Sequence, residues 1–207
     1  MGKVRMRVAW FGSLLLTLAL ALPAAAGQEI KTCQGVKLSP YHREYDNSIR
    51  GPQKLDRASY RLEVGGLVKR KLSLTYEQVT ALPSIKQVVK MPCVEGWSET
   101  LLYQGPRLRQ VLELAGVRKE AVWAMFYSAD GYSTGLPLSY LLGDKVLLGC
   151  KINGLVLDQA RGWPFQLVAP GKLGYKWAKW VTRIELTAKP QRGYWESRGY
   201  SNSATAD

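Results

Sequence analysis

The sequence predicts an α+β domain, built of mixed sheets with a few short helices. Three observations carry that expectation. Strand-like alternation recurs from Tyr60 to Leu186. Only two stretches, near 75–83 and 106–116, have helical punctuation. Helices and strands do not alternate in the βαβ rhythm of a parallel sheet.

In chain order, "YRLEV" (Tyr60–Val64) alternates as a strand and Gly65-Gly66 turns it, with "KLSLT" as its neighbour. Thr75 with Gln78 three residues on is a capping box, and Pro83 ends the short helix that it opens. "IKQVVKM" and "TLLYQG" are strands on either side of Cys93. "PRLRQVLELAG" reads as an amphipathic helix with Pro106 at its start, Leu108, Val111, Leu112 and Leu114 inside, and Gly116 at its end. "AVWAMFYSADGY" is a buried strand and turn, and "KVLLGCKINGLVL" is a hairpin about Asn153-Gly154. "PFQLVAPG" and "YKWAKWVTRIEL" are expected as two final strands.

The chain of 207 residues opens with basic "MGKVRMR", an apolar run from Val8 to Leu22, and small residues before Gly27. That order is a secretory signal over residues 1–26, cleaved or kept as an anchor. The run is shorter than the roughly 20 apolar residues of an ordinary span, and no later stretch is longer. The expected location is periplasmic or otherwise extracytoplasmic. Residues 27–207 then form a single domain, with 27–58 as a polar N-terminal arm over it.

The net charge of +13 favours an anionic partner: a phosphate-bearing cofactor, an acidic substrate or an anionic membrane face. Plain solubility is the other reading. Nucleic acid is excluded by export and by the spread of Lys and Arg, which form no basic tract. His42, in a polar loop, is the only histidine, so a hydrolytic triad or a histidine-rich zinc site is not expected. The cysteines are Cys33, Cys93 and Cys150, and an odd count in an exported protein leaves at least one thiol unpaired. Cys93 sits in "MPCVEGWSE", where Pro92 stops a strand and Glu95-Gly96 turns the chain. From the residues alone it is either a small buried hydrophobe or a functional thiol.

In "RGWPFQLVAPGKLGYKWAKW", Gly171 and Gly174 bracket Lys172 in a loop. Its amides, with Lys172, Lys176 and Lys179, can hold a phosphate or a long anion. Strand alternation would put Tyr175, Trp177 and Lys179 on one face and Lys176 and Trp180 on the other. An amphipathic strand with lysines outside and aromatics inside is the alternative.

Taken together, "CVEGWS" followed by "GWPFQLVAPGKLGYKWAKWVTRIEL" resembles the sulfite oxidase-like molybdopterin enzymes. The nearer likeness is to the bacterial periplasmic branch that includes the methionine sulfoxide reductase molybdenum subunit. It covers about residues 40–200, including "YRLEVGGLV", "FYSADGY" and "GYWESRGYS". The resemblance implies a molybdenum–molybdopterin cofactor with Cys93 as the protein's ligand to the metal, a role that suits a soft thiolate. It also implies cofactor contacts from Asn47, Ser128, Trp177, Ala178 and Lys179. Arg161, which stands where relatives often have His or Asn, and Gln166, which stands where many have Arg, are also expected at the cofactor, with Arg161 supplying the cation that Gln166 does not.

The implied activity is oxygen-atom exchange with a small-molecule substrate. Asp46, where sulfite oxidases carry Arg, and the acidic "VEGWSE" loop favour a reductase over a sulfite oxidase. The chain stops soon after the core, so a monomer served by a membrane haem or quinone-linked subunit is expected. Met6 separates Arg5 from Arg7, which departs from the twin-arginine signal that such enzymes use. If Cys93 binds metal, Cys33 and Cys150 either bridge or both stay free. The competing class is a cofactor-free binding module on the same fold.

Overall fold

The computed structural model describes residues 27–42 and 47–206. The arm begins with a small hairpin, β1 (Thr32–Cys33) and β2 (Val36–Lys37), turned by Gln34 and Gly35, both at positive φ. The arm then crosses the body. Ser39 N–H donates to Thr100 O (2.8 Å), Tyr41 OH donates to Val156 O (2.9 Å), and Asp158 N–H donates back to Tyr41 OH (2.7 Å). Burial pushes the Tyr41 phenol up to about 12, so it stays a neutral donor.

The body holds two larger sheets. β3 (Leu62–Gly66) pairs with β4 (Leu72–Leu74), and α1 (Tyr76–Thr80) follows. Its capping box is present as expected: Gln78 N–H donates to Thr75 Oγ1, and Thr75 N–H to Gln78 Oε1. β5 (Ser84–Pro92) and β6 (Ser98–Pro106) form a long antiparallel hairpin whose connecting turn is the Cys93 loop. α2 (Leu108–Ala115), β7 (Trp123–Ser128), β8 (Ser133–Pro137) and the single turn α3 (Leu138–Leu141) come next. β9 (Leu147–Gly149), β10 (Lys151–Ile152), β11 (Leu155–Val156), β12 (Gln166–Val168) and β13 (Val181–Thr187) complete the fold.

One sheet runs β11-β10-β6-β5, all antiparallel; the other runs β4-β3-β13-β7-β8, with β3 and β13 parallel. Mixed sheets with short helices are the α+β architecture the sequence predicts. The Asn153-Gly154 hairpin has both turn residues at positive φ, as a two-residue turn of that composition requires. Gly105 is required by contact: a Cβ there would lie 1.9 Å from Leu148 O, where β6 crosses β9.

Three details differ from the sequence reading. Pro106 ends β6 and does not open α2; Arg107 is the cap residue, its N–H satisfied by Gln110 Oε1 at 3.0 Å. α2 buries Leu108, Val111, Leu112 and Ala115, while Leu114 is 42% exposed. Steps of 100° carry position 114 off the stripe set by its neighbours. Finally, 175–180 is not strand. Gly174–Lys176 is a 3₁₀ turn, and β13 starts only at Val181. Trp180 takes φ 48°, fixed by its N–H to Gly162 O (3.2 Å) and its indole N–H to Gln159 O (2.6 Å). The face assignment by alternation therefore fails, and Lys176, Trp177, Ala178 and Trp180 are all buried.

Candidate cofactor site

The Cys93 loop is a tight cap on the β5–β6 hairpin. Cys93 N–H donates to Trp97 O (2.8 Å), Gly96 N–H donates to Cys93 O (3.2 Å), and Gly96 sits at φ 86°. Glu95 Oε2 accepts from Trp97 Nε1 at 2.8 Å and from the Cys93 thiol at 3.8 Å. Desolvation first, and the Glu95 carboxylate after it, push the Cys93 thiol up from its usual range. The bare site therefore holds it as a thiol.

Beside this loop opens a cavity of about 510 Å³, within the size range of small-molecule and cofactor pockets. Three segments close it: the turn after β7, the 174–180 segment and the C-terminal tail. In the turn, Asp130 is buried. Its carboxylate accepts from Tyr132 N–H (2.9 Å) and from Ile49 N–H (3.3 Å), so it locks the arm to the cavity edge. Ser128 Oγ lies on the wall, buried and without a hydrogen-bond partner among the described residues.

The 174–180 segment is held by Leu167 N–H to Ala178 O (2.8 Å) and by Trp177 Nε1 to Lys172 O (2.9 Å). The tail is held from within. Lys176, fully buried, forms an ion pair with fully buried Glu196 and donates to Gly135 O (2.9 Å), while Thr134 Oγ1 donates to the same carboxylate (2.6 Å). Tyr194, Trp195 and Tyr200 then line the cavity together with Trp97 and Tyr175, and the Tyr175 and Tyr200 rings touch edge-on with centroids 5.2 Å apart.

The expected site residues separate into two groups. Asn47, Cys93, Ser128, Gln166, Trp177, Ala178 and Lys179 all line the cavity. Gln166 is buried, its Oε1 accepting from Tyr103 OH at 3.4 Å, and Lys179 Nζ sits 4.2 Å from the Trp180 ring centroid. Lys172 and Arg161 do not line it. Lys172 Nζ donates to Ser203 O (2.8 Å) and Thr205 Oγ1 (3.4 Å), on the tail. Arg161 is buried, with Nη1 3.4 Å from Glu99 Oε1. Lys176, placed beside the loop as a phosphate cation, is instead the buried anchor of the tail.

Sequence reasoning missed Asp130, Tyr132 and the aromatic tail as wall residues. "GYWESRGY" is dense in aromatics, and that was the available signal. Asp46 and the leader lie outside the described residues. All three cysteines are free, Cys150 buried and Cys33 and Cys93 partly so.

A family model described as the oxidoreductase molybdopterin binding domain matches residues 49–195. The chain belongs to that family. The putative protein-methionine-sulfoxide reductase subunit YedZ1 of Azospira oryzae is 36% identical over 163 residues, 78% of this chain and 61% of that protein. The uncharacterized oxidoreductase YuiH of Bacillus subtilis is 35% identical over 146 residues, 70% of this chain and 74% of that protein. This chain thus spans about three fifths of the Azospira protein. The sulfane dehydrogenase SoxCD from Paracoccus pantotrophus superposes with a TM-score of 0.64 at 23% identity, covering 86% of this chain and 56% of that one, a likeness of fold.

The residues present fit the molybdopterin group of the family. A cysteine stands at the wall for a soft metal. An unpartnered buried hydroxyl, Ser128 Oγ, awaits a polar ligand atom. Flat aromatic walls suit a ring system, and Lys179 supplies a cation for phosphate.

Proposed function

We propose that this domain is an extracytoplasmic molybdopterin-dependent oxidoreductase that removes an oxygen atom from a small neutral substrate. The observation that supports it most is the position of Cys93, on the wall of a cavity that also collects six other expected cofactor contacts. When bound, the molybdenum–molybdopterin group supplies the two-electron oxygen-atom exchange. The chain's own residues bind, orient and shield it.

Cys93 Sγ would hold the metal, and Lys179 and Asn47 the polar end of the group. Ser128 Oγ and Gln166, both on the cavity wall, would offer hydrogen bonds to the pterin. The thiol must lose its proton to ligate, and Glu95 Oε2 at 3.8 Å is the acceptor beside it. Trp97, Tyr175 and the tail aromatics exclude water from the cavity mouth, which strengthens polar contacts inside it.

The charge of the wall bears on the substrate. Among the described lining residues Glu95 and Asp130 are acidic and Lys179 is the cation. A free dianion such as sulfite meets repulsion there, whereas a neutral S-oxide does not. The Azospira relative and a 26% identical relative in Campylobacter jejuni carry methionine sulfoxide reductase names, which supports the reductive direction. Reducing a sulfoxide to a thioether consumes two electrons and two protons and releases water, so an external electron donor is needed. A membrane haem or quinone-linked subunit suits an exported enzyme.

Elemental analysis with pterin fluorescence, on protein purified from its native host, tests the reading. About one molybdenum per chain, and turnover of a small sulfoxide with a reduced dye, are expected. A folded chain without molybdenum and pterin would move the domain to the cofactor-free binding class.

A further inference from the structure

A second charged feature lies at the far end of the domain. β7 runs from Trp123 to Ser128, and β13 pairs with it so that Val181 meets Ser128 and Thr187 meets Trp123. β3 lies parallel to β13, with Gly66 beside Leu186. The cavity therefore sits at the Ser128 end of this sheet. The β3–β4 turn and the approach to β7 sit at the other, about 17 Å away along the strands.

That far end is basic. The β3–β4 turn carries Lys69, Arg70 and Lys71, and the segment after α2 carries Arg118 and Lys119, all exposed. Val68 bridges Val117, and Lys69 and Arg70 N–H donate to Gly116 O (2.7 Å) and Ala115 O (2.9 Å), so the two segments form one surface. The arginines have structural work: Arg70 Nη2 donates to Leu114 O (2.8 Å) and Arg118 Nε to Val68 O (2.9 Å). The lysines have none. Lys69, Lys71 and Lys119 make no side-chain hydrogen bond or ion pair among the described residues. Lys69, Arg118 and Lys119 rim an open depression of about 630 Å³, with Glu120 as its acid. Beside these cations Leu114 and Val122 project with 42% and 48% of their surface exposed.

We propose that this end of the domain docks on an anionic lipid bilayer, with headgroup phosphates on the lysines and Leu114 and Val122 reaching the acyl boundary. Two features favour a bilayer over an acidic protein. Flexible, unbonded lysines match fluid headgroups, which offer charge density and no fixed register. Exposed aliphatic residues among cations are how peripheral proteins add apolar burial to electrostatic attraction. Docked this way, the cavity faces away from the membrane, open to substrates in the surrounding space. The inference rests on the patch alone and stands whether or not the cavity holds molybdopterin.

The test is vesicle co-sedimentation of the full chain, comparing phosphatidylcholine vesicles with vesicles containing one third phosphatidylglycerol. An inserted apolar leader would bind both alike, so the reading is the difference between them. The expected result is preference for the anionic vesicles, lost at high salt. The triple variant Lys69→Glu, Lys71→Glu, Lys119→Glu should weaken that preference at least about twentyfold. The triple variant Lys37→Glu, Lys86→Glu, Lys90→Glu changes net charge equally on other surfaces and should shift it less than about threefold. Equal losses in both triples would overturn the proposal, because net charge alone would then explain the binding. The absence of any anionic preference in the unaltered chain would also overturn it and would point to an acidic protein as the partner.

Discussion

Gly174 packs against the backbone of Cys93. A Cβ added at Gly174 would stand 3.4 Å from Pro92 O and 3.9 Å from Cys93 Cα. The glycine-lysine loop and the cysteine loop, far apart in sequence, thus meet at one wall of the cavity. The contact distance is ordinary for a methyl group but leaves no room for a branched side chain. Gly174→Ala should therefore keep cofactor content near that of the native protein, whereas Gly174→Val should displace the Cys93 loop and lower it severalfold. Pterin per chain after purification reads both.

Lys179 and Lys172 stand in the same basic stretch but have different partners. Lys179 lines the cavity, while Lys172 holds the tail through Ser203 O and Thr205 Oγ1. Reversing a charge beside a phosphate removes a charge-assisted bond and adds repulsion. Lys179→Glu should lower cofactor retention by roughly tenfold or more. Lys172→Glu and the distant Lys37→Glu should each change it little. Equal losses in all three would place the phosphate elsewhere.

The Lys176–Glu196 pair fastens the aromatic tail over the cavity. Burial pulls the Lys176 ammonium below the usual lysine range, and Glu196 opposes that pull. Removing one partner strands the other charge, which costs on the order of 3–5 kcal/mol. Lys176→Met should therefore unfold at markedly lower denaturant. The double variant Lys176→Met, Glu196→Gln should recover part of the loss, because no unpaired charge remains. A double variant no more stable than the single would mean that the pair acts through packing alone.

Burial and Glu95 hold the Cys93 thiol above its usual range. A raised value favours the protonated form, so thiolate is scarcer at neutral pH than for an ordinary cysteine. In cofactor-free protein, iodoacetamide should label Cys93 slowly at neutral pH. The rate should keep rising with pH beyond the point where a free thiol levels off. Glu95→Gln removes the nearby anion and should bring the rise to lower pH, read by mass spectrometry of the Cys93 peptide.

The local elements were legible because their signals are local. The Thr75–Gln78 box, the Asn153-Gly154 turn and the Cys93 loop each follow from residues within a few positions of one another. The 174–180 segment was not, because what bends it is distant: Gly162 O, Gln159 O and Glu196 capture Trp180 and Lys176 from other parts of the chain. A Lys-Trp alternation that satisfies a strand pattern satisfies this wrapped loop equally well. Arg161 misled for a related reason. Its charge suggested the cofactor cation that Gln166 does not supply, but Glu99, on β6, claims it in the interior. The site's centre was readable from Cys93 and "KWAKW". Its far wall was not, since nothing in "GYWESRGY" shows that Glu196 turns inward and carries Tyr194, Trp195 and Tyr200 to the cavity.

The proposed function rests on Cys93 as the protein's ligand to molybdenum. X-ray absorption at the molybdenum edge, on native protein and on Cys93→Ser, tests it most directly. Serine preserves size and leaves the loop's backbone bonds in place, so the variant should fold and keep its pterin. In the variant the metal should lose one sulfur neighbour, and turnover should fall with it. An unchanged sulfur shell with full turnover would contradict it and remove Cys93 from the site.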